Sequence, residues 1–334
     1  MTTQSGTHET TLLTAEDPVL VHRSSSRMTR ITCALPPVIA KSLYRMWPLT
    51  DRGTRALTMF DTTLSWFPSA RDVERTSMTL GQIPVQRYLP VGHRDHRLDG
   101  VSILYLHGGG FTFCGDGTHR RVTRRIAKSL SVPVYSVLCR QLPDYGVGTA
   151  IHDAYVAYRA LLGACAEGDR VVLAGDSSGA FLAAKVCELA AADGLAMPAA
   201  LVAYSPHIDL DVDLRDRHEI CRDALMPVSA YRRAKRKWEK GPVAARGARS
   251  MLQVDPTAFP PTFITAAAKE MFEADIVAFA RGLAAGGCAV VEQLGTRVSC
   301  AGHAVAGKPG GNGIDGRVPV TDAGRSGIPR CVSA

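Results

Sequence analysis

A serine framed by glycines, Gly175-Asp176-Ser177-Ser178-Gly179, follows the apolar run Val171 to Ala174 and precedes the apolar stretch Ser178 to Ala192. A strand that turns sharply into a helix holds such a serine in a strained backbone conformation, with its oxygen exposed above a sheet. The chemistry of that arrangement is nucleophilic: once a base takes its proton, Ser177 attacks a carbonyl carbon. A second glycine run, His107-Gly108-Gly109-Gly110-Phe111, follows the apolar residues Ile103 to Leu106. Consecutive glycines let backbone N–H groups converge on one oxygen without obstruction by Cβ, which is how the oxyanion of acyl transfer is held. The expected donors are the amides of Gly108, Gly109 and Ser178, the last through its backbone and not its hydroxyl. Asp176 is expected to orient the turn through hydrogen bonds, and His107 to support the loop from below.

The surrounding elements must bring these two motifs together. Val85 to Val91 reads as an edge strand, and Val101 to Leu106 and Val132 to Leu138 as short buried strands. Ile151 to Leu162 has apolar residues at helical spacing. Arg170 to Ala174, Ala200 to Tyr204, Thr262 to Ala267 and Ala289 to Leu294 read as further strands, with helices over Ser178 to Ala192 and Met271 to Ala285. Alternating strands and helices imply a mostly parallel central sheet flanked by helices, an α/β fold. Ligands in such folds bind beyond the carboxyl ends of the strands, where both glycine motifs fall. The expected organisation is an N-terminal tail and helical cap over 1–80, a catalytic α/β domain over 81–294 with a cap excursion at about 207–258, and an irregular tail over 295–334. Five glycines between Gly307 and Gly316 and the loss of apolar periodicity define that tail. A reading frame lost near Gly295 would produce the same abrupt change, and sequencing the coding region tests it.

The chain has 334 residues and a formal net charge of +8. A basic balance points to nucleic acid only when the charge is clustered with a recognisable motif, and none is present. The main cluster lies between Tyr231 and Arg249. Its first part, Tyr231 to Lys240, reads as a cap helix with a thin stripe of Tyr231, Ala234 and Trp238 among basic residues. The plain expectation is a solvated helix; the sharper one is a weak contact with an anionic membrane surface or an acidic ester. Met1 to Ser26 lacks the basic start and apolar stretch of a secretory leader, and no apolar run of about 18 residues occurs, so a cytoplasmic protein is expected. Nine cysteines without metal-like spacing read as reduced thiols, and no metal or cofactor is expected. Phe111, Phe113 and Trp66 are candidates either for an acyl pocket or for the core.

Together, His107-Gly108-Gly109-Gly110 and Gly175-Asp176-Ser177-Ser178-Gly179 resemble the hormone-sensitive lipase family of α/β-hydrolases, of the mycobacterial esterase and lipase type. The likeness runs from about Gln82 to Leu294 and includes Ser205-Pro206-His207-Ile208-Asp209-Leu210 and Phe259-Pro260-Pro261-Thr262. It implies an α/β-hydrolase fold and a serine carboxylesterase that works through an acyl-enzyme on a small-molecule ester, with short to medium acyl chains preferred. Partners in such a site follow in the order serine, acid, histidine. Glu270, beyond the strand Thr262 to Ala267, falls where the family places its acid; Asp275 is the second candidate. His303 is the only histidine after Glu270 and so the expected base, although the family's base follows its last strand more closely. The competing expectations are an impaired relative that merely binds a ligand and a lipase acting at a lipid surface.

Overall fold

The computed structural model describes residues 19–22, 50–66, 72–92, 98–212, 228–267, 270–295, 319–320 and 330–331. Nine strands form one sheet in the order β1-β9-β8-β7-β6-β4-β5-β3-β2. They are β1 (Val19–His22), β2 (Val73–Leu80), β3 (Ile83–Pro90), β4 (Val101–Leu106), β5 (Val134–Val137), β6 (Arg170–Asp176), β7 (Ala200–Tyr204), β8 (Thr262–Ala267) and β9 (Val290–Gly295). Pairing from β5 through β4, β6, β7 and β8 to β9 is parallel, and β1 adds to β9 in the same sense. Only β2 and β3, a hairpin against β5, run antiparallel. Outside this sheet, Pro319–Val320 and Arg330–Cys331 form a small antiparallel pair.

The helices are α1 (Asp51–Ser65), α2 (Asp116–Leu130), α3 (Val147–Ala164), α4 (Ser178–Ala192), α5 (Val228–Lys235) and α6 (Glu273–Ala285). Both faces of the sheet are buried, so the central strands read as continuous apolar runs instead of alternating ones. Leu104, Leu106, Val171 and Leu173 pack with α3, α4 and α6 in one core. Their neighbours Ile103, Tyr105, Val172 and Ala174 pack on the other face, against Ala127, Ile126 and Leu130 of α2.

The expected strands from β4 onward occur, and α4, β7 and β8 have the anticipated bounds. The region before β4 departs from expectation in two ways. Val85 to Val91 is not an edge, because β2 lies outside it, and the sheet's antiparallel hairpin begins at Val73, in the segment expected as tail and cap. Only Val73 and Leu80 of β2 are buried, so its sequence carries almost no strand signal. The basic segment forms a shorter helix than expected, α5 ending at Lys235. Of the nine cysteines, Cys114, Cys139, Cys165, Cys187 and Cys288 lie among the described residues as free thiols. No helix among the described residues is long and apolar enough to cross a membrane.

Candidate active site

Register places the two glycine motifs side by side. Leu106, the last residue of β4, lies opposite Gly175 of β6, so the loop after β4 and the turn after β6 leave the sheet together. Ser177 sits between β6 and α4 at φ 50°, ψ −118°, a strained conformation for a residue with a side chain. Its backbone is held from three sides: its N–H donates to Tyr204 O (2.9 Å), while its carbonyl accepts from Phe181 N (3.2 Å) and His207 N (3.0 Å). The flanking glycines have a steric reason. A Cβ on Gly179 would lie 2.0 Å from Leu106 O, and one on Gly175 would lie 2.7 Å from the backbone of both Gly179 and Leu106. The half-buried Ser177 thus stands at the N-terminus of α4, where unpaired amides and the helix dipole favour negative charge.

The glycine loop is tied to this turn by side chains of the turn itself. Gly109 and Gly110 adopt φ 117° and 64°, and a Cβ on Gly109 would meet Phe113 O at 2.0 Å. Gly108 does not serve as expected. Its N–H, assigned in the sequence to the oxyanion, donates instead to Asp176 Oδ1 at 3.0 Å, because the loop approaches the turn too closely for it to face elsewhere; a Cβ there would lie 2.2 Å from Asp176 Oδ2. The Gly110 amide donates to Ser178 Oγ (2.9 Å). Ser178 therefore contributes a hydroxyl to the loop as well as a first-turn amide, a use of its side chain the sequence did not suggest. His107 lies buried beneath the loop with Nδ1 2.8 Å from Gly108 O, and burial, reinforced by nearby His119, pushes its pKa down.

Asp176 orients the turn through a wider set of contacts than the sequence indicated. It accepts from Tyr105 Oη (2.8 Å) as well as Gly108, and its Oδ2 lies 3.3 Å from His119 Nε2. Burial works against its ionisation, but the His119 charge and these donors outweigh it and hold its pKa below the usual carboxylate range. His119 was not singled out from the sequence. Its signal was a histidine in the first turn of a helix, masked because Gly115-Asp116-Gly117 reads as a continuation of the glycine loop.

One side of the site is an aromatic wall. Phe111, in the loop at φ 57°, packs edge-on against Phe181, His207 and Trp238 at centroid distances of 6.0, 6.2 and 5.4 Å. Trp238 Nε1 donates to Gly110 O (3.2 Å), and Tyr231 Oη lies 2.9 Å from His207 Nε2. The stripe of the basic segment is therefore buried on the site, with Tyr231 and Trp238 only 2% and 3% exposed. Three cations of the basic segment are engaged in ion pairs: Lys237 and Lys240 with Asp51 of α1 (2.8 and 3.1 Å), and Arg249 with Asp211 and Glu239 (2.7 and 2.6 Å). Burial, aided by Lys235, pushes the His207 pKa down to about 3, so this histidine stays neutral. Trp66, in contrast, is 75% exposed among the described residues.

The family described as alpha/beta hydrolase fold matches residues 103–298, more than half of the chain. The chain is an α/β-hydrolase. It is similar to mycobacterial esterases and to solved structures described as hormone-sensitive lipases. The carboxylesterase/phospholipase LipF of Mycobacterium tuberculosis is 32% identical over 239 residues, covering 68% of this chain and 62% of LipF. The esterase LipU of the same organism is 32% identical over 206 residues, covering 59% of this chain and 65% of LipU. This α/β-hydrolase thus matches less than two thirds of the length of either. A solved structure described as a hormone-sensitive lipase from a metagenome library superposes with a TM-score of 0.70 at 26% identity, over 83% of this chain and 91% of that one.

In this α/β-hydrolase, Glu270 lies just past β8, half-buried, at the same end of the sheet as Ser177. Phe272, two residues on, packs against His207 at 4.7 Å, which brings the segment after β8 up to the aromatic wall. Asp275 lies buried in the first turn of α6. His303 falls outside the described residues and five residues past the end of the family match.

Proposed function

We propose that the protein is a serine carboxylesterase that hydrolyses small-molecule esters through an acyl-enzyme. The observation that carries this reading is the strained turn at Ser177, in register beside a glycine loop whose backbone conformation only glycine adopts readily. The relatives are themselves named as esterases and carboxylesterases, which supports the same reaction class. Ser177 Oγ attacks the ester carbonyl while His303 accepts its proton, with Glu270 orienting the imidazole. The amides of Gly109 and Ser178 hold the oxyanion; the Gly108 amide, committed to Asp176, keeps the loop in place instead. His303 then protonates the leaving alcohol, the alkoxy oxygen departs, and the acyl group remains on Ser177. Water, deprotonated by the same histidine, attacks the acyl carbonyl and releases the acid. The aromatic wall of Phe111, Trp238 and Tyr231 under α5 and its following turn limits the space beside the loop, which favours short to medium acyl groups over long ones.

The assignment of acid and base is tested separately from that of the nucleophile. His303→Ala is expected to lower kcat for p-nitrophenyl butyrate by roughly 10³-fold or more, and Glu270→Gln by about 10²-fold or more, each with a small change in KM. Wild-type turnover in His303→Ala would remove His303 as the base without touching Ser177. If Glu270→Gln is silent and Asp275→Asn is not, the acid is Asp275.

A further inference from the structure

Buried polar groups connect α1 to the Ser177 turn. Asp61 of α1 accepts from the amides of Gly117 (3.1 Å) and Thr118 (2.7 Å), satisfying first-turn donors of α2. The fit between the two helices is tight: a Cβ on Gly117 would lie 1.9 Å from Asp61 O. That same first turn carries His119, whose Nε2 faces Asp176 Oδ2 at 3.3 Å and whose Nδ1 lies 3.0 Å from Thr118 Oγ1. Asp176 in turn precedes Ser177 and tethers Gly108 through its other oxygen. Asp61 and Asp176 are each under a tenth exposed and the His119 side chain is 12% exposed, so water competes little for the bond between His119 and Asp176.

We propose, on the esterase reading above, that His119 is a positioning residue for the reaction: paired with Asp176, it sets the glycine loop against the Ser177 turn, and Asp61 extends that hold to the cap helix α1. Without the His119 charge, burial favours protonation of Asp176, and a protonated Asp176 is a poorer acceptor for the Gly108 amide. Charge-assisted hydrogen bonds are also shorter and stronger than neutral ones, which suits a contact that must fix a donor loop to within a fraction of an ångström.

The groups facing His119 are Asp176, Asp61, His107, Tyr105, Thr118 and the Gly115 carbonyl. Burial opposes a charge on His119, but Asp176 outweighs it and raises the His119 pKa above its ordinary value. The raised pKa fixes the sign of the dependence. The pair is ionised at pH values below the folded-state pKa, and its charge is lost as pH rises through that value. In the intact enzyme kcat therefore falls on the alkaline side, opposite to the acid limb set by the general base.

The test is steady-state hydrolysis of p-nitrophenyl butyrate across pH by the full chain, its His119→Gln and Asp61→Asn variants, and Ser177→Ala. His119→Gln is expected to lower kcat about tenfold near neutrality, with KM changed by less than about twofold, and to flatten the alkaline limb. Asp61→Asn, which keeps His119, should lower kcat less and retain that limb. A folded His119→Gln protein with wild-type kcat, or with the alkaline limb intact, overturns the proposal. Should His119→Gln not fold, the His119 ring resonance in the wild type decides: its titration must coincide with the alkaline fall in kcat, and a mismatch is fatal. Failure of the esterase reading itself is distinguishable, since Ser177→Ala would then hydrolyse the ester as fast as the wild type.

Discussion

Replacing Ser177 with alanine is expected to lower kcat/KM for p-nitrophenyl butyrate by roughly 10⁴-fold or more while leaving the unfolding temperature nearly unchanged. The two halves of that expectation have different causes. The rate loss follows from removing the atom that forms the acyl bond; the oxyanion donors and substrate contacts remain and leave only a residual rate. The unchanged stability follows from how the turn is built. Its hydrogen bonds to Tyr204, Phe181 and His207 all use the Ser177 backbone, and the strain at φ 50° is the same for alanine. A fluorophosphonate ester should label the wild type at one site and leave the variant unlabelled. Equal hydrolysis by the two proteins would remove the acyl-enzyme mechanism altogether.

Gly179→Ala should produce the opposite pattern, a loss of fold before any loss of chemistry. Its added methyl would lie 2.0 Å from Leu106 O and 2.6 Å from His107 C, far inside contact distance. Neither neighbour can yield, because Leu106 is paired on one side with Val137 and on the other with Gly175. The cost is expected to be about 3 kcal/mol or more, seen as a lowered unfolding temperature and poor solubility. Gly163→Ala is the control. That glycine lies near the end of α3 with nothing within 4 Å of a Cβ, so alanine there should stabilise the protein by about 0.5–1 kcal/mol. Comparable unfolding temperatures for the two variants would mean that the β4 loop and the β6 turn do not pack as described.

The contrast between these two glycines also shows what was legible in the sequence. Gly175 and Gly179 announced the turn because glycine is needed wherever two backbones meet, and that need is written in the residue type. The central strands were legible for a related reason, since burial on both faces leaves no polar residue in runs such as Val171 to Ala174. Residues whose role depends on a distant partner were not legible. β2 has two buried side chains and exists as a strand because β3 offers it a hairpin edge. α2 begins at Gly115-Asp116-Gly117, residues that suit a loop until Asp61, far upstream, accepts from the amides of Gly117 and Thr118. The Gly108 amide was misassigned for the same cause: only the structure brings Asp176 to it. The stripe of Tyr231 and Trp238 read as a thin apolar seam on a charged helix, and its target, Phe111 and His207, lies on other elements.

Asp51 is joined to its two lysines across 186 and 189 residues of chain. That span has a consequence for the order in which the molecule can assemble. A chain leaving the ribosome N-terminus first can complete the β2–β3 hairpin early, and pair β4 with β6 once Asp176 has emerged. α1 can meet its lysine partners only after Lys240 is out, and β1 can join the sheet only when β9 is present. The nucleophile turn is therefore made before the segments that wall it in, and the exposed aromatic face of the glycine loop is the surface a growing chain must keep from other chains in the interval.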